Sequence, residues 1–262
     1  MLDCFLISVD LASKKAYYFL ISVDLASKKA YCFLISVDSA SKRAYCFLKM
    51  LDCFLISVVH ALIVVEVQHS LRDGLMSKTL YFVRHCQAMG QEPDTTLTAE
   101  GHQQAIALVD LLYNRNIERI ISSPFVRAYQ SIAPLAERLG LHIEIDERLT
   151  ERVLASTPRA DWRERLAETF LDLDLYLEGG ESSRTAMMRG VAVVSEVLQQ
   201  AASTIVIVTH GNLMTLILKY FDDRIGYGEW EQLSNPDVYR VHFLGTETHI
   251  ERLSQSLSSV NF

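Results

Sequence analysis

Cysteine is nearly absent from most of this 262-residue chain: of five, Cys4, Cys32, Cys46 and Cys53 fall early, and Cys86 stands alone afterwards. That distribution supports no disulfide framework, and a reducing, cytoplasmic compartment is the expected setting. A long apolar run is missing as well. The nearest to one, Cys53 to Val65, is thirteen residues, contains His60 and stops at Glu66, whereas crossing a bilayer as a helix takes about 20 apolar residues. No basic N-terminal region leads into a small-residue cleavage site, so an ordinary secretory signal is not expected. Positive charge is in deficit. The first 75 residues carry eight Lys or Arg against seven Asp or Glu, and the remainder carries 17 against 25, a net charge of −8. An acidic body argues against nonspecific nucleic-acid binding, and the short apolar run argues against a membrane partner. Nor do His, Cys and carboxylates gather at ligand spacing, so neither a metal nor another cofactor is expected.

Glycine and proline are absent from a fourteen-residue unit written three times, Phe5 to Tyr18, Phe19 to Cys32 and Phe33 to Cys46. A fragment of it returns at Cys53-Phe54-Leu55-Ile56-Ser57-Val58. Fourteen residues is too short a period for the common solenoid repeats. Residues 1–75 therefore read as a repetitive low-complexity extension that is not a folded domain, with the functional domain at 76–262. Near-identical copies suggest duplicated DNA, with Met76-Ser77-Lys78 as the natural start. An interaction or membrane-surface segment is the alternative.

From Lys78 onward, short apolar runs alternate with amphipathic helical ones, the pattern of βαβ units around a mainly parallel sheet. Strands are expected at 79–84, 118–122, 142–146, 204–209 and 239–244. Helices are expected from Thr98 to about Asn114, from Phe125 to Leu139 with Gly140 as the stop, from Glu181 to Gln200, and from Gly211 onward. Right-handed crossovers place helices on both faces, which makes the fold class α/β, a three-layer α/β/α sandwich. Trp162 and Leu166, four apart, would share a buried helical face.

Two of these strands stop on a histidine. Leu80-Tyr81-Phe82-Val83 leads into Arg84-His85, and Ile205-Val206-Ile207-Val208-Thr209 leads into His210-Gly211. Ligands of open α/β sheets bind beyond the carboxyl ends of the strands, so two imidazoles 125 positions apart in sequence can meet there. The arginine beside the first makes that rim attractive to anions. For the remaining histidines of the body, His102, His142, His242 and His249, a structural role is the expectation.

With these residues go Leu97-Thr98-x-x-Gly101, Ser122-Ser123-Pro124 leading to Arg127, Glu151-Arg152, and Gly179-Gly180-Glu181-Ser182. In this order they resemble the histidine phosphatase superfamily, the phosphoglycerate mutase-like group, over roughly residues 78–245. The chemistry suits the residue types. A phosphomonoester dianion needs donors and positive charge around its oxygens and a nucleophile in line with the leaving oxygen. Arg84 and Arg127 offer bidentate forks that keep their charge, and a neutral imidazole at His85 can form a phosphohistidine. The resemblance makes His210 a second catalytic and phosphate-binding residue and selects Glu151 as general acid and base. Glu147, the nearby competitor, reads as a solvated partner of arginine.

Three departures from the family pattern stand next to the nucleophile. Cys86 replaces the usual glycine, and Gln87 and Ala88 replace the Glu and Ser or Thr of many members. Ala88 removes a hydroxyl donor that Gln91 is placed to replace. Cys86 reads as a small residue tolerated beside the site, against an oxidation-sensitive thiol activated by Arg84.

The body is 187 residues and its stretch from Ser123 to Glu151 is short; the resembled family's mutases are longer, with added segments over the site, so the resemblance implies a more open site that admits water. The expected function is therefore hydrolysis of a small phosphorylated metabolite. A 2,3-bisphosphoglycerate-dependent phosphoglycerate mutase is the first alternative, and a catalytically idle protein binding phospho-ligands in the same pocket is the second. Trp162, Phe170 and Tyr176 are placed either to contact a leaving group or to pack in the core.

Overall fold

The computed structural model describes residues 2–10, 15–24, 29–38, 77–245 and 247–253, and the chain divides into two compact units, 1–66 and 67–262. In the first unit, β1 (Leu2–Asp10), β2 (Lys15–Asp24) and β3 (Lys29–Asp38) form an antiparallel sheet in that order. Leu20 lies opposite Phe5 on one side and Phe33 on the other, so equivalent positions of the repeat face the central strand from both edges. These strands are all that is described of residues 1–75, and Met76 lies outside the described residues.

The second unit runs β4 (Lys78–Arg84), α1 (Ala99–Leu112), β5 (Arg119–Ser122), α2 (Val126–Leu139), β6 (Ile143–Ile145), α3 (Trp162–Leu171), α4 (Ser183–Leu198), β7 (Thr204–Thr209), α5 (Gly211–Phe221), α6 (Tyr227–Glu231), β8 (Asp237–Leu244) and β9 (Glu247–Arg252). Its six strands form one sheet in the order β6-β5-β7-β4-β8-β9. The first four are parallel, β8 is antiparallel to β4, and β9 is antiparallel to β8. Among the described residues no helix is long and apolar enough to cross a membrane.

Strand periodicity separates two cores. Tyr81, Val83, Ile120, Val206, Val208 and Val238 face one way and pack with Ala105, Leu108 and Leu112 of α1 and with Ala128, Ile132 and Leu135 of α2. Leu80, Phe82, Ile205, Ile207, Val241 and Phe243 alternate with them and are buried on the opposite face. There Phe243 meets Phe221 of α5 edge-on at 5.2 Å, and Gly190 lets α4 approach Ile217 and Leu213 of α5. Burying a side chain of this size stabilises the fold by about 1.5–3 kcal/mol. The expected three-layer sandwich is the architecture observed.

Local signals fix the helix ends. The Thr98 and Ser182 hydroxyls accept the amides of Gly101 and Thr185 at 2.9 and 3.1 Å, capping α1 and α4. Gly140 ends α2 in the left-handed region at φ 67°, as its position predicts. Trp162 is a correction. It opens α3 but is 41% exposed, set edge-on against Trp230 of α6 at 6.0 Å, while Leu166 and Phe170 are buried. Tyr176 is exposed too.

Candidate active site

The strand order brings the two histidines together. Because β7 inserts between β5 and β4, the histidine-bearing strands become parallel neighbours, with Arg84 in register with Thr209. The His85 amide continues the ladder to the Thr209 carbonyl at 3.1 Å. The imidazoles follow directly, centroids 5.1 Å apart, and both are buried. Arg127, in the first turn of α2 and also buried, points its Nε at His85 Nε2, 3.3 Å away. Its Nη1 donates to the carbonyls of Gln91 and Glu92 at 2.9 and 2.8 Å, which ties the loop after β4 to the site.

His85 Nδ1 lies 2.7 Å from the Cys86 carbonyl. A carbonyl only accepts, so Nδ1 carries the hydrogen and Nε2 keeps the lone pair. Burial, foremost, and the Arg127 and Arg84 charges bring the His85 pKa down to about 3, against the opposing pull of the Cys86 carbonyl. His210 is held well below the usual range by burial and then by His85, Arg127, Arg189 and Arg84. Its Nε2 lies 2.8 Å from the Ser123 hydroxyl and its ring meets Phe125 edge-on at 4.9 Å. Among the described residues its buried Nδ1 has no partner.

A pH dependence follows. Nitrogen-15 NMR of the imidazoles should show a neutral His85 throughout pH 5 to 8 and a His210 that titrates below the usual imidazole range; a titration of His85 within that window, or of His210 at its ordinary value, contradicts the burial argument. Both residues also make the fold acid-sensitive. The unfolded chain binds a proton at His85 near 6.5 and the folded chain only near 3. Stability from this residue is thus complete above about pH 6.5 and falls as the pH drops toward 3.

Arg84 reaches across to the segment before β8, where its Nη1 donates to the carbonyls of Leu233 and Ser234 at 3.1 and 3.2 Å. Its buried Nε has no partner among the described residues. A Cβ at Gly211 would stand 3.1 Å from that Nε, so glycine at the start of α5 lets the guanidinium lie against the helix end. Burial lowers the pKa of both Arg84 and Arg127, with Glu151 the largest opposing influence on each. The same segment holds the backbone of His85, through Asn235 Nδ2 donating to its carbonyl at 2.7 Å. Asp237 steadies it by accepting the Ser234 amide at 2.9 Å and pairing with Arg252.

Glu151 follows a short 3-10 turn, Glu147–Leu149, and lies against the amino end of α5. Its Oε2 accepts the Asn212 amide at 3.0 Å, and its Oε1 accepts the amides of Leu213 and Arg152 at 3.0 and 2.9 Å. The first turn of a helix leaves such amides without partners in the helix, and here the Glu151 side chain takes them. Oε2, with a single donor, retains a lone pair for a proton. Glu147 is exposed, and Arg148 beside it pairs with Asp146 and Glu196 instead.

All five residues singled out in the sequence, Arg84, His85, Arg127, Glu151 and His210, therefore meet at one rim. Ser123 and Asn235 join them without having been assigned a role. The first sits within a recognised motif; the second is 150 positions from its partner and carries no local signal. Cys86 is fully buried, with burial pushing its thiol up to about 12, which sets aside the activated-thiol reading. Gln91 is exposed and meets the site through its main-chain carbonyl, in place of the side-chain donor expected from it.

Residues 80–256 match the model of the histidine phosphatase superfamily, branch 1. A glucosyl-3-phosphoglycerate phosphatase of Mycobacterium tuberculosis is 28% identical over 173 residues, covering 55% of this chain and 74% of its own. The solved structure of a mycobacterial glucosyl-3-phosphoglycerate phosphatase with inorganic phosphate aligns at 25% identity and a TM-score of 0.56, covering 67% of this chain and 95% of that one. A phosphoserine phosphatase from Entamoeba histolytica, 18% identical with a TM-score of 0.53, shares the fold over 67% of this chain and 96% of its own. By the extent of that match and by the fold, the chain belongs to branch 1 of the histidine phosphatase superfamily and is an enzyme of this phosphatase group.

Proposed function

We propose that the chain hydrolyses a small phosphomonoester through a phosphohistidine on His85. The observation that carries this reading is the state of that imidazole. It is buried and neutral, its Nδ1–H is fixed on a carbonyl, and its lone-pair nitrogen faces the Arg127 guanidinium. A phosphoryl group there would meet Arg127; further donors of the pocket are the unpartnered Nε of Arg84 and, with the Ser123 hydroxyl donating to His210 Nε2, the unpartnered Nδ1–H of His210. These are the donors that transferring oxygens require.

In the first step the Nε2 lone pair attacks phosphorus as the bond to the ester oxygen breaks. The departing alkoxide takes its proton from Oε2 of Glu151. In the second, Glu151 as carboxylate takes a proton from water, the hydroxide oxygen bonds to phosphorus, and the P–N electron pair returns to Nε2. Phosphate leaves, and Glu151 again holds its proton.

Relatives named as glucosyl-3-phosphoglycerate phosphatases support an organic phosphate ester as the substrate class. The buried, unpaired Cys86 fits the reducing cytoplasm as its setting. The catalytic domain is 76–262, and residues 1–75 are dispensable for the reaction. Phosphate release from a panel of phosphomonoesters tests the reading, with the full chain and a chain starting at Met76 assayed side by side. The expected result is equal, His85-dependent release that needs no added 2,3-bisphosphoglycerate. Isomerisation of 3-phosphoglycerate without phosphate release would make the protein a mutase, and ligand binding without turnover would make it a binder.

A further inference from the structure

The segment carrying Glu151 is gripped from outside the phosphate pocket by one ion pair. Arg189, on α4, sends Nε and Nη2 to the two carboxylate oxygens of Glu181 at 2.8 and 2.9 Å. Its Nη1 donates to the carbonyls of Arg148 and Thr150 at 2.6 and 2.8 Å, on the amino side of Glu151. Glu181 serves the carboxyl side. Its amide donates to the Val153 carbonyl at 2.8 Å, and its carbonyl accepts Arg152 Nε at 2.9 Å. Both partners are about one-fifth exposed, so solvent competes little for these bonds.

We infer that Arg189 is a positioning residue for proton transfer, fixing through the main chain at Arg148 and Thr150 the place from which Glu151 reaches the leaving oxygen. The inference rests on the role proposed for Glu151. A planar guanidinium can divide its donors between a carboxylate and two carbonyls at once, and an ammonium cannot. Fixing the carbonyls on one side and the Arg152–Val153 segment on the other leaves the Glu151 side chain little arc in which to swing. Misplacement of a reacting group by about 1 Å can cost roughly 10²-fold.

Position and charge are separable. The Arg189 charge also bears on His210, and Arg189→Lys keeps the charge while losing the fork. With the full chain, kcat/KM would be compared on phenyl phosphate, whose leaving group needs a proton, and on 2,4-dinitrophenyl phosphate, whose leaving group does not. For Arg189→Lys the expected loss is about 10- to 100-fold on the first ester and slight on the second, with a larger loss of the same pattern for Glu151→Gln. Equal losses on both esters, or none, would reduce Arg189 to a structural residue and overturn the inference. A Glu151→Gln variant indifferent to the leaving group would instead remove the general-acid reading and the inference with it. If Arg189→Lys does not fold, Glu181→Gln keeps the two carbonyl bonds but loosens the fork, and a smaller loss confined to phenyl phosphate is expected.

Discussion

His85→Ala should lower kcat/KM for phosphomonoesters by on the order of 10⁴-fold or more, as expected when a nucleophile has no substitute. No neighbour is equipped to replace it. The Cys86 thiol is buried and pushed up to about 12, so it holds its proton at any working pH. His210 has Nε2 committed to the Ser123 hydroxyl. Steady-state phosphate release by the folded variant is the measurement, with a melting curve alongside. Residual activity within an order of magnitude of the parent would show that water attacks phosphorus directly, displacing the ester oxygen, and that His85 is only a donor.

Arg127→Ala should cost about 10²–10³-fold in kcat/KM, the range for losing one preorganised donor to a transition-state oxyanion. The guanidinium does three things from one buried position. It faces the attacking nitrogen, adds a charge that keeps His85 and His210 neutral, and holds the Gln91 and Glu92 carbonyls. Arg127→Lys should recover little, because an ammonium cannot keep the Nε contact and both carbonyls together. Kinetics combined with imidazole NMR separate the contributions: loss of the charge should raise the pKa of both histidines. A variant near full activity would place the phosphoryl group away from α2.

The site was legible in the sequence because its chemistry sits where secondary structure ends. Each histidine follows a strand whose apolar run is unmistakable, and β4 and β7 need only be parallel neighbours for the two to meet. Arg127 and Glu151 were placed by motif, and their structural anchors explain why they stand there: a first-turn position on α2 for one, the amino end of α5 for the other. Partners distant in sequence were not legible. Asn235, Asp237 and Arg252 act on Arg84 and His85 through tertiary contacts that leave no periodic trace.

The misread elements each have a physical cause. The fifth strand of the body was expected at 239–244 and begins at Asp237, whose buried carboxylate is satisfied by Arg252 and so looks like a loop residue in sequence. β9, Glu247–Arg252, is a half-exposed edge strand with only Ile250 as an aliphatic side chain, so no apolar alternation announced it. Trp162 was expected inside because it stands four residues before Leu166 on one helical face, yet at the first position of α3 its ring rests against Trp230 and remains partly in water.

Hydrolysis by this route depends on a covalent bond between His85 and phosphorus. Mixing enzyme with a fast phosphodonor, quenching in base, where a phosphoramidate survives, and mapping the modified peptide by mass spectrometry tests it most directly. One phosphoryl group is expected on the peptide containing His85, lost on acid treatment and absent from His85→Ala. Phosphate release in a single turnover with no phosphoryl group on that peptide, or with the group on another residue, would contradict it.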